Sequence, residues 1–294
     1  MTGIGFVGPG IMGGPMIANL VNAGHQVRAF GRSQRSRERI TQAGAHVADS
    51  AADVAASAEV VITMLPDTPD VQQVVLGEGG LAEAMTEDQV FIDMSTIRPD
   101  ATREIATALG ERGVAMLDAP VSGGESGAVE GTLSIMVGGD ADVLDRVNGV
   151  LECLGSTITH VGPTGAGQLT KAANQLIVAA NIQAVAEAIV LLESAGADVA
   201  SALDAIGGGL AGSAVLDRKR SAFLDGDFTP GFRVELHNKD LRIVHDTARA
   251  AGISLPATAL VSQFMAAAEA QGHGELDHSA LLRVARRLND AAGG

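Results

Sequence analysis

The sequence predicts a two-part chain. Residues 1–163 read as a doubly wound α/β fold with a mainly parallel sheet, and residues 164–294 as an all-α region joined to it by a long helix. Three observations predict this. A glycine cluster, Gly8-Pro9-Gly10-Ile11-Met12-Gly13, separates an apolar run from a helical pattern. Short apolar runs then alternate with helical spacing as far as Gly162, as βαβ units require. Beyond Gln168 no strand pattern follows, and long Ala-rich helical stretches take over.

The strands follow in order. Ile4-Gly5-Phe6-Val7 is a buried strand, and Met12, Met16, Leu20 and Val21 keep helical spacing up to a C-capping Gly24. Val27 to Phe30 is the second strand. Val60 to Met64 and Phe91 to Met94 are nearly continuous in apolar residues, as parallel strands covered on both faces are. Met116 to Ala119 and Leu133 to Val137 extend the sheet, and Ile158 to Val161 closes it. A helix opening near Gly167 runs for about 27 residues, roughly 40 Å at 1.5 Å per residue. Later helices break at Gly207-Gly208-Gly209, between Asp225 and Gly231, and at Gly252. Ala291 to Gly294 are expected to fray.

Composition narrows the chemistry. Apolar residues make up 46% of the 294, while aromatics are 2% with no Trp or Tyr, so the core is aliphatic and no tyrosine can donate a proton. A net charge of −15 argues against nucleic acid or an anionic membrane as a partner. The one cysteine, Cys153, reads as a buried free thiol. The apolar run Leu176 to Leu192 is interrupted by Asn181, Gln183 and Glu187, so it reads as a buried helix and not a membrane span. With no basic, apolar leader before the first strand, a reducing compartment, most simply the cytoplasm, is expected. The seven histidines show no metal-ligand spacing, and no metal is expected.

The glycine cluster fits G-x-G-x-x-G between a strand and a helix, the fingerprint of a Rossmann-like dinucleotide site. Gly8 permits the turn, Gly10 lets backbone approach a pyrophosphate, and Gly13 allows close packing, with Pro9, Ile11 and Met12 between them. After the second strand, Gly31-Arg32-Ser33 stands where an NAD site would place Asp or Glu. Arg32 suits a 2′-phosphate, so NADP is expected over NAD, although a basic helix start in solvent would look the same. Leu65, Pro66 and Thr96 follow strands, at the carboxyl edge where open α/β sheets bind ligands.

Two stretches suggest a substrate site. Asp118 to Ala128 ends a strand and offers Ser122, Gly123 and Gly124, whose amides and hydroxyl can cradle a carboxylate, although an ordinary glycine turn would read alike. Gly165 to Gln175 is a glycine turn running into an apolar helix. Lys171, Asn174 and Gln175 lie there at i, i+3 and i+4, a polar cluster on one face. A further helix from about Val234 would place Leu236, Lys239, Asp240 and Ile243 on one face, with Phe232 near its start. Lys239 and Asp240 form either a solvated pair or a cofactor-facing one, and His237 is a packing or surface residue.

The fingerprint, Asp118 to Ala128, Gly165 to Gln175 and Lys239-Asp240-Leu241 together resemble the β-hydroxyacid dehydrogenases, over essentially the whole chain. Gly207 to Ser213, Pro230 to Arg233 and Asp277 to Ala280 look most like the branch acting on 2-hydroxy-3-oxopropionate (tartronate semialdehyde). The resemblance implies that Lys171 is the catalytic acid/base and that Ser122, Gly123 and Gly124 hold a small anionic aldehyde or hydroxy acid. It implies substrate contacts from Asn174 or Gln175, with Phe232 beside them, cofactor contacts from Thr96 and Lys239, and a homodimer or homotetramer. Members of that branch often carry an acidic residue where Gly31 stands, which agrees with the Arg32 argument. An apolar helix face would depress the pKa of Lys171, as a base in the oxidation direction needs. Imine reductases share the two-part plan but typically lack the lysine. A non-catalytic dinucleotide-binding scaffold is the remaining alternative.

Overall fold

A computed structural model describes residues 1–290, in two compact units, Met1–Lys171 and a second from Ala172 onward. The expected fraying of Ala291 to Gly294 falls outside the described residues.

The first unit is built on nine strands. They are β1 (Gly3–Val7), β2 (Gln26–Phe30), β3 (His46–Val47), β4 (Val60–Thr63), β5 (Val90–Asp93), β6 (Ala115–Asp118), β7 (Val121–Ser122), β8 (Leu133–Gly139) and β9 (Gly155–Gly162). The order is β3-β2-β1-β4-β5-β6-β8-β7, with β9 also pairing β8. All pairs are parallel except β6 with β8 and β7 with β8. Seven helices lie between the strands: α1 (Gly13–Asn22), α2 (Gln34–Gln42), α3 (Thr68–Leu76), α4 (Leu81–Ala84), α5 (Pro99–Gly110), α6 (Gly124–Glu130) and α7 (Ala141–Leu151).

The pleat divides the strand side chains between two cores. Phe6, Ile62 and Ile92 pack with Met16, Ile17 and Leu20 of α1 and Leu144 and Val147 of α7. Val7, Val61 and Phe91, one residue out of phase, pack with Val71 and Val75 of α3 and Ile105 and Leu109 of α5. Period-two alternation between two apolar layers is what a doubly wound sheet requires. The two-residue strands β3 and β7 carry too few residues for a periodic signal. Val121-Ser122, expected as part of a glycine turn, instead pairs antiparallel with Ile135 and Ser134.

The helix α8 (Ala166–Ser194) is 29 residues long and crosses from the first unit's sequence into the second's. It is followed by α9 (Val199–Gly207), α10 (Ala214–Asp225), α11 (Val234–Ala250), α12 (Pro256–Ala268) and α13 (Leu281–Asp290). Among the described residues no strand follows β9, apart from an isolated bridge between Arg233 and Asp277. The second unit's core joins Ala179, Ile182, Ala186 and Ile189 of α8 to Leu203, Phe223, Leu241, Met265 and Leu281. Ser213 caps α10, its Oγ accepting from the Leu216 amide at 3.1 Å.

Two expectations need correcting. Cys153 is half-buried rather than buried, and burial together with Glu152 raises its thiol pKa. The helix α8 is long and apolar enough to cross a membrane by length and composition, yet only 33% of its apolar window is buried. It is not cleanly amphipathic: Leu169, Ile177 and Leu191 are exposed. Its polar residues Lys171, Gln175 and Gln183 are buried, beside the apolar Ala179, Ile182, Ala186 and Ile189.

Candidate active site

In the first unit the predicted residues gather at strand ends. Gly8, at the end of β1, has φ +105°, and a Cβ on it would strike the Met64 carbonyl. A Cβ on Gly13 would collide with the Gly8 carbonyl and lie 3.0 Å from Phe6 Cε1, so only glycine lets α1 sit this close to β1. Gly10 differs, because a Cβ there would meet no protein atom within 4 Å. The space beside it is open, next to the start of α1, where no side chain caps the helix and no acidic residue occupies the first turn. Orphan amides at a helix start with open space before them fit a pyrophosphate.

Arg32 is exposed, with Nη2 3.3 Å from Asp70 Oδ1. Ser33 caps α2, accepting from the Ser36 amide at 3.1 Å. Leu65 and Pro66 follow β4, and the Leu65 amide donates to Ser95 Oγ at 2.9 Å. Thr96 follows β5 and is half-buried. Gly123 and Gly124 have φ +137° and +66°, turning the chain out of β7 into α6 with Ser122 half-buried just before them.

Two buried carboxylates, unforeseen from the sequence, organise these ends. Asp93 and Asp118 are register partners on β5 and β6. Asp93 Oδ1 accepts from Thr63 Oγ1 at 2.8 Å and from the Ser95 amide at 3.1 Å, while its Oδ2 has no hydrogen-bond donor. Burial pushes the Asp93 carboxyl up to about 6. Burial raises Asp118 too, against the Gly165, Gln168 and Gly167 amides that favour its charge. Its oxygens accept from the Gly165 amide at 2.7 Å and the Gln168 amide at 2.9 Å, which caps α8. Lys171 follows on the next turn, 7% exposed. The signal for these carboxylates was present, in two apolar strands that each close on an aspartate.

In the second unit a different polar set is assembled. Gln175 is buried and Asn174 half-buried, and Asn174 Nδ2 donates to Gln175 Oε1 at 2.8 Å. Gln175 Nε2 donates to Asp240 Oδ2 at 2.5 Å, and Lys239 Nζ lies 2.9 Å from Asp240 Oδ1. Lys239 and Asp240 are 7% and 2% exposed, so the pair is buried, not solvated. His237 is fully buried, a packing residue rather than a surface one. Its Nε2 lies 3.0 Å from the Gln175 carbonyl, which can only accept, so that nitrogen carries the proton. Its Nδ1 lies 2.9 Å from His278 Nδ1. Phe232 stands edge-on to both rings, at 5.7 and 5.5 Å. Asp277 anchors the loop before α11, taking Lys219 Nζ at 2.7 Å and the Gly231 and Phe232 amides at 3.0 and 3.1 Å. Sequence reading had reached Asp277 only through the family likeness and had missed Lys219.

Residues 3–162 match the model of the NAD binding domain of 6-phosphogluconate dehydrogenase, and residues 165–285 that of the NAD-binding domain of NADP-dependent 3-hydroxyisobutyrate dehydrogenase. The chain is 43% identical over 281 residues to 2-hydroxy-3-oxopropionate reductase of Escherichia coli (strain K12), covering 96% of each. The chain belongs to the β-hydroxyacid dehydrogenase family. Among solved β-hydroxyacid dehydrogenases, 3-hydroxyisobutyrate dehydrogenase of Mycobacterium tuberculosis, with L-serine, is 38% identical at TM-score 0.90, covering 97% of this chain and 99% of that one. A structure described as Psf3 in complex with NADP+ and 2-OPP is 25% identical at TM-score 0.88, covering 96% and 99%. The chain is therefore an NAD(P)-binding oxidoreductase of the β-hydroxyacid dehydrogenase family.

Proposed function

We propose that this β-hydroxyacid dehydrogenase reduces a short aldehyde acid to a hydroxy acid, with 2-hydroxy-3-oxopropionate giving D-glycerate as the preferred reaction and NADPH as the preferred reductant. The observation that carries it is Lys171, an ammonium 7% exposed on the turn after a helix start clamped to the sheet by Asp118. The likeness to the Escherichia coli reductase supports the choice of substrate.

When bound, the reduced nicotinamide supplies a hydride to the carbonyl carbon. The amides at the start of α1 and the open space beside Gly10 hold the pyrophosphate, with Pro9, Ile11 and Met12 completing the turn. Arg32 holds the 2′-phosphate; Leu65, Pro66, Thr96 and Lys239 line the rest of the cofactor. Lys171 donates a hydrogen bond to the carbonyl oxygen as charge builds there and gives up its proton to form the hydroxyl. In the reverse direction the neutral amine takes that proton back. Ser122, Gly123 and Gly124 hold the substrate carboxylate, with Asn174, Gln175 and Phe232 as further contacts, and so orient the carbonyl. A homodimer or homotetramer in the cytoplasm is the expected working form, and the exposed Ile177 and Leu191 of α8 offer apolar surface to a second copy.

The test is a panel of 2-hydroxy-3-oxopropionate, glyoxylate, succinic semialdehyde and methylmalonate semialdehyde, each with NADPH and NADH. The expected result is the highest kcat/KM for 2-hydroxy-3-oxopropionate with NADPH. Oxidation of neither cofactor with any of the four would overturn the reading. One methylene in an apolar pocket is worth only about 1–3 kcal/mol, so activity on neighbouring substrates is expected too.

A further inference from the structure

Gln168 is 1% exposed and bonds to backbone through both ends of its side-chain amide. Its Nε2 donates to the Ser95 carbonyl at 2.8 Å, and its Oε1 accepts from the Ile97 amide at 3.0 Å. Those two groups flank Thr96. The side chain pairs with the loop as a neighbouring strand would, one donor and one acceptor on either side of a single residue. Its own amide is held by Asp118 Oδ2 at 2.9 Å, and its neighbour Gly167 packs so tightly that a Cβ there would lie 2.6 Å from the Asp118 carbonyl. The reach of the amide is therefore fixed at its base. Lys171 follows three residues later, on the same side of the helix.

We propose that Gln168 is a positioning residue that sets the separation between Thr96 and Lys171, and so the placing of the acid/base against the bound reactants. This rests on the reading of Lys171 as acid/base and of Thr96 as a ligand contact. Ser95 and Ile97 are fully buried, so no water replaces the amide if it is lost. A loop released from its clamp moves relative to a helix that Asp118 still holds. Misplacement of about 1 Å costs up to 10²-fold in rate where geometry governs the step.

Two variants test this beside the parent and Lys171→Ala, with 2-hydroxy-3-oxopropionate and NADPH. Gln168→Met keeps the length and removes both hydrogen bonds. Its kcat is expected to fall by about 10- to 100-fold, a larger factor than the rise in NADPH Kd from fluorescence titration. Gln168→Glu keeps the acceptor for Ile97 but can donate to the Ser95 carbonyl only when protonated. Its kcat relative to the parent is expected to rise as pH falls, by a larger factor than the NADPH Kd ratio changes. A Gln168→Met enzyme that melts lower but turns over within twofold of the parent overturns the proposal, as does a flat kcat ratio for Gln168→Glu. If Lys171→Ala retains parental turnover, the acid/base reading fails. If Lys171→Ala is inactive while both Gln168 variants turn over normally, only the positioning role fails.

Discussion

Gly31 is packed against Ser36 so closely that a Cβ on it would overlap the serine's own Cβ and lie 2.7 Å from Pro9 Cγ. The acidic side chain that an NAD site uses to bind ribose hydroxyls cannot be seated there without moving the start of α2. Arg32, next in sequence, is 82% exposed at its side chain and pairs with Asp70 at 3.3 Å, an exposed contact weak enough to exchange for a phosphate. Arg32→Ala should weaken NADPH by about tenfold or more, and NADH by about twofold at most. Fluorescence titration with each cofactor measures this, and equal weakening would remove Arg32 from phosphate recognition. Gly31→Asp should lower the melting temperature and should not convert the enzyme to NADH.

Lys171→Ala should lower kcat by about 10²–10⁴-fold, the range for general acid–base groups, while NADPH still binds. Isothermal titration with NADPH separates this outcome from simple loss of the fold. A variant with parental turnover would take Lys171 out of the chemistry.

Asp277 provides a stability prediction. Burial raises its carboxyl, but the charges of His278 and Lys219 and its hydrogen bonds outweigh that and hold it down at about 2. A depressed carboxylate stabilises the fold above its unfolded value of 3.8, and that stability is lost as pH falls towards 2. The contribution is roughly 2 kcal/mol at neutral pH. Asp277→Asn should be less stable than the parent at pH 7, with the gap largely closed at pH ~2. Urea melts at both pH values would show this, and a gap that does not change with pH would contradict it.

Asp93 works in the opposite sense. Its folded carboxyl is raised to about 6, so its favourable share is present below 3.8 and lost as pH rises through 6. Asp93→Asn keeps an acceptor for Thr63 and the Ser95 amide while removing the charge. The parent should lose melting temperature between pH 5 and pH 8 relative to Asp93→Asn; parallel curves would place the ionisation elsewhere.

Much of the fold was legible because its signals are local. The runs around Phe6, Ile62 and Ile92 are long enough to show strand character, and Gly162-Pro163 marks where alternation stops. His46-Val47 and Val121-Ser122 were not legible, because two residues hold no period and their pairing is set by distant neighbours. At the candidate site, spacing alone suggested distinct duties for Gly8, Gly10 and Gly13; packing requires glycine at Gly8 and Gly13, while open space surrounds Gly10. The buried status of Lys239 and Asp240 was not legible, since a charged pair on a helix reads the same in water as in protein. Gln168 was passed over because its partners, Ser95 and Ile97, lie more than seventy residues away and bond through backbone, which carries no sequence signature.

The Asp118 cap also dictates where the chain can be cut. A fragment ending before Gly165 would keep the whole sheet yet leave a fully buried aspartate without its amide donors at 2.7 and 2.9 Å. One continuing through Gln168 would keep them. Nucleotide-binding fragments, split reporters or circular permutants made from this protein should therefore retain the opening turn of α8, and those that stop at the last strand should be recovered insoluble.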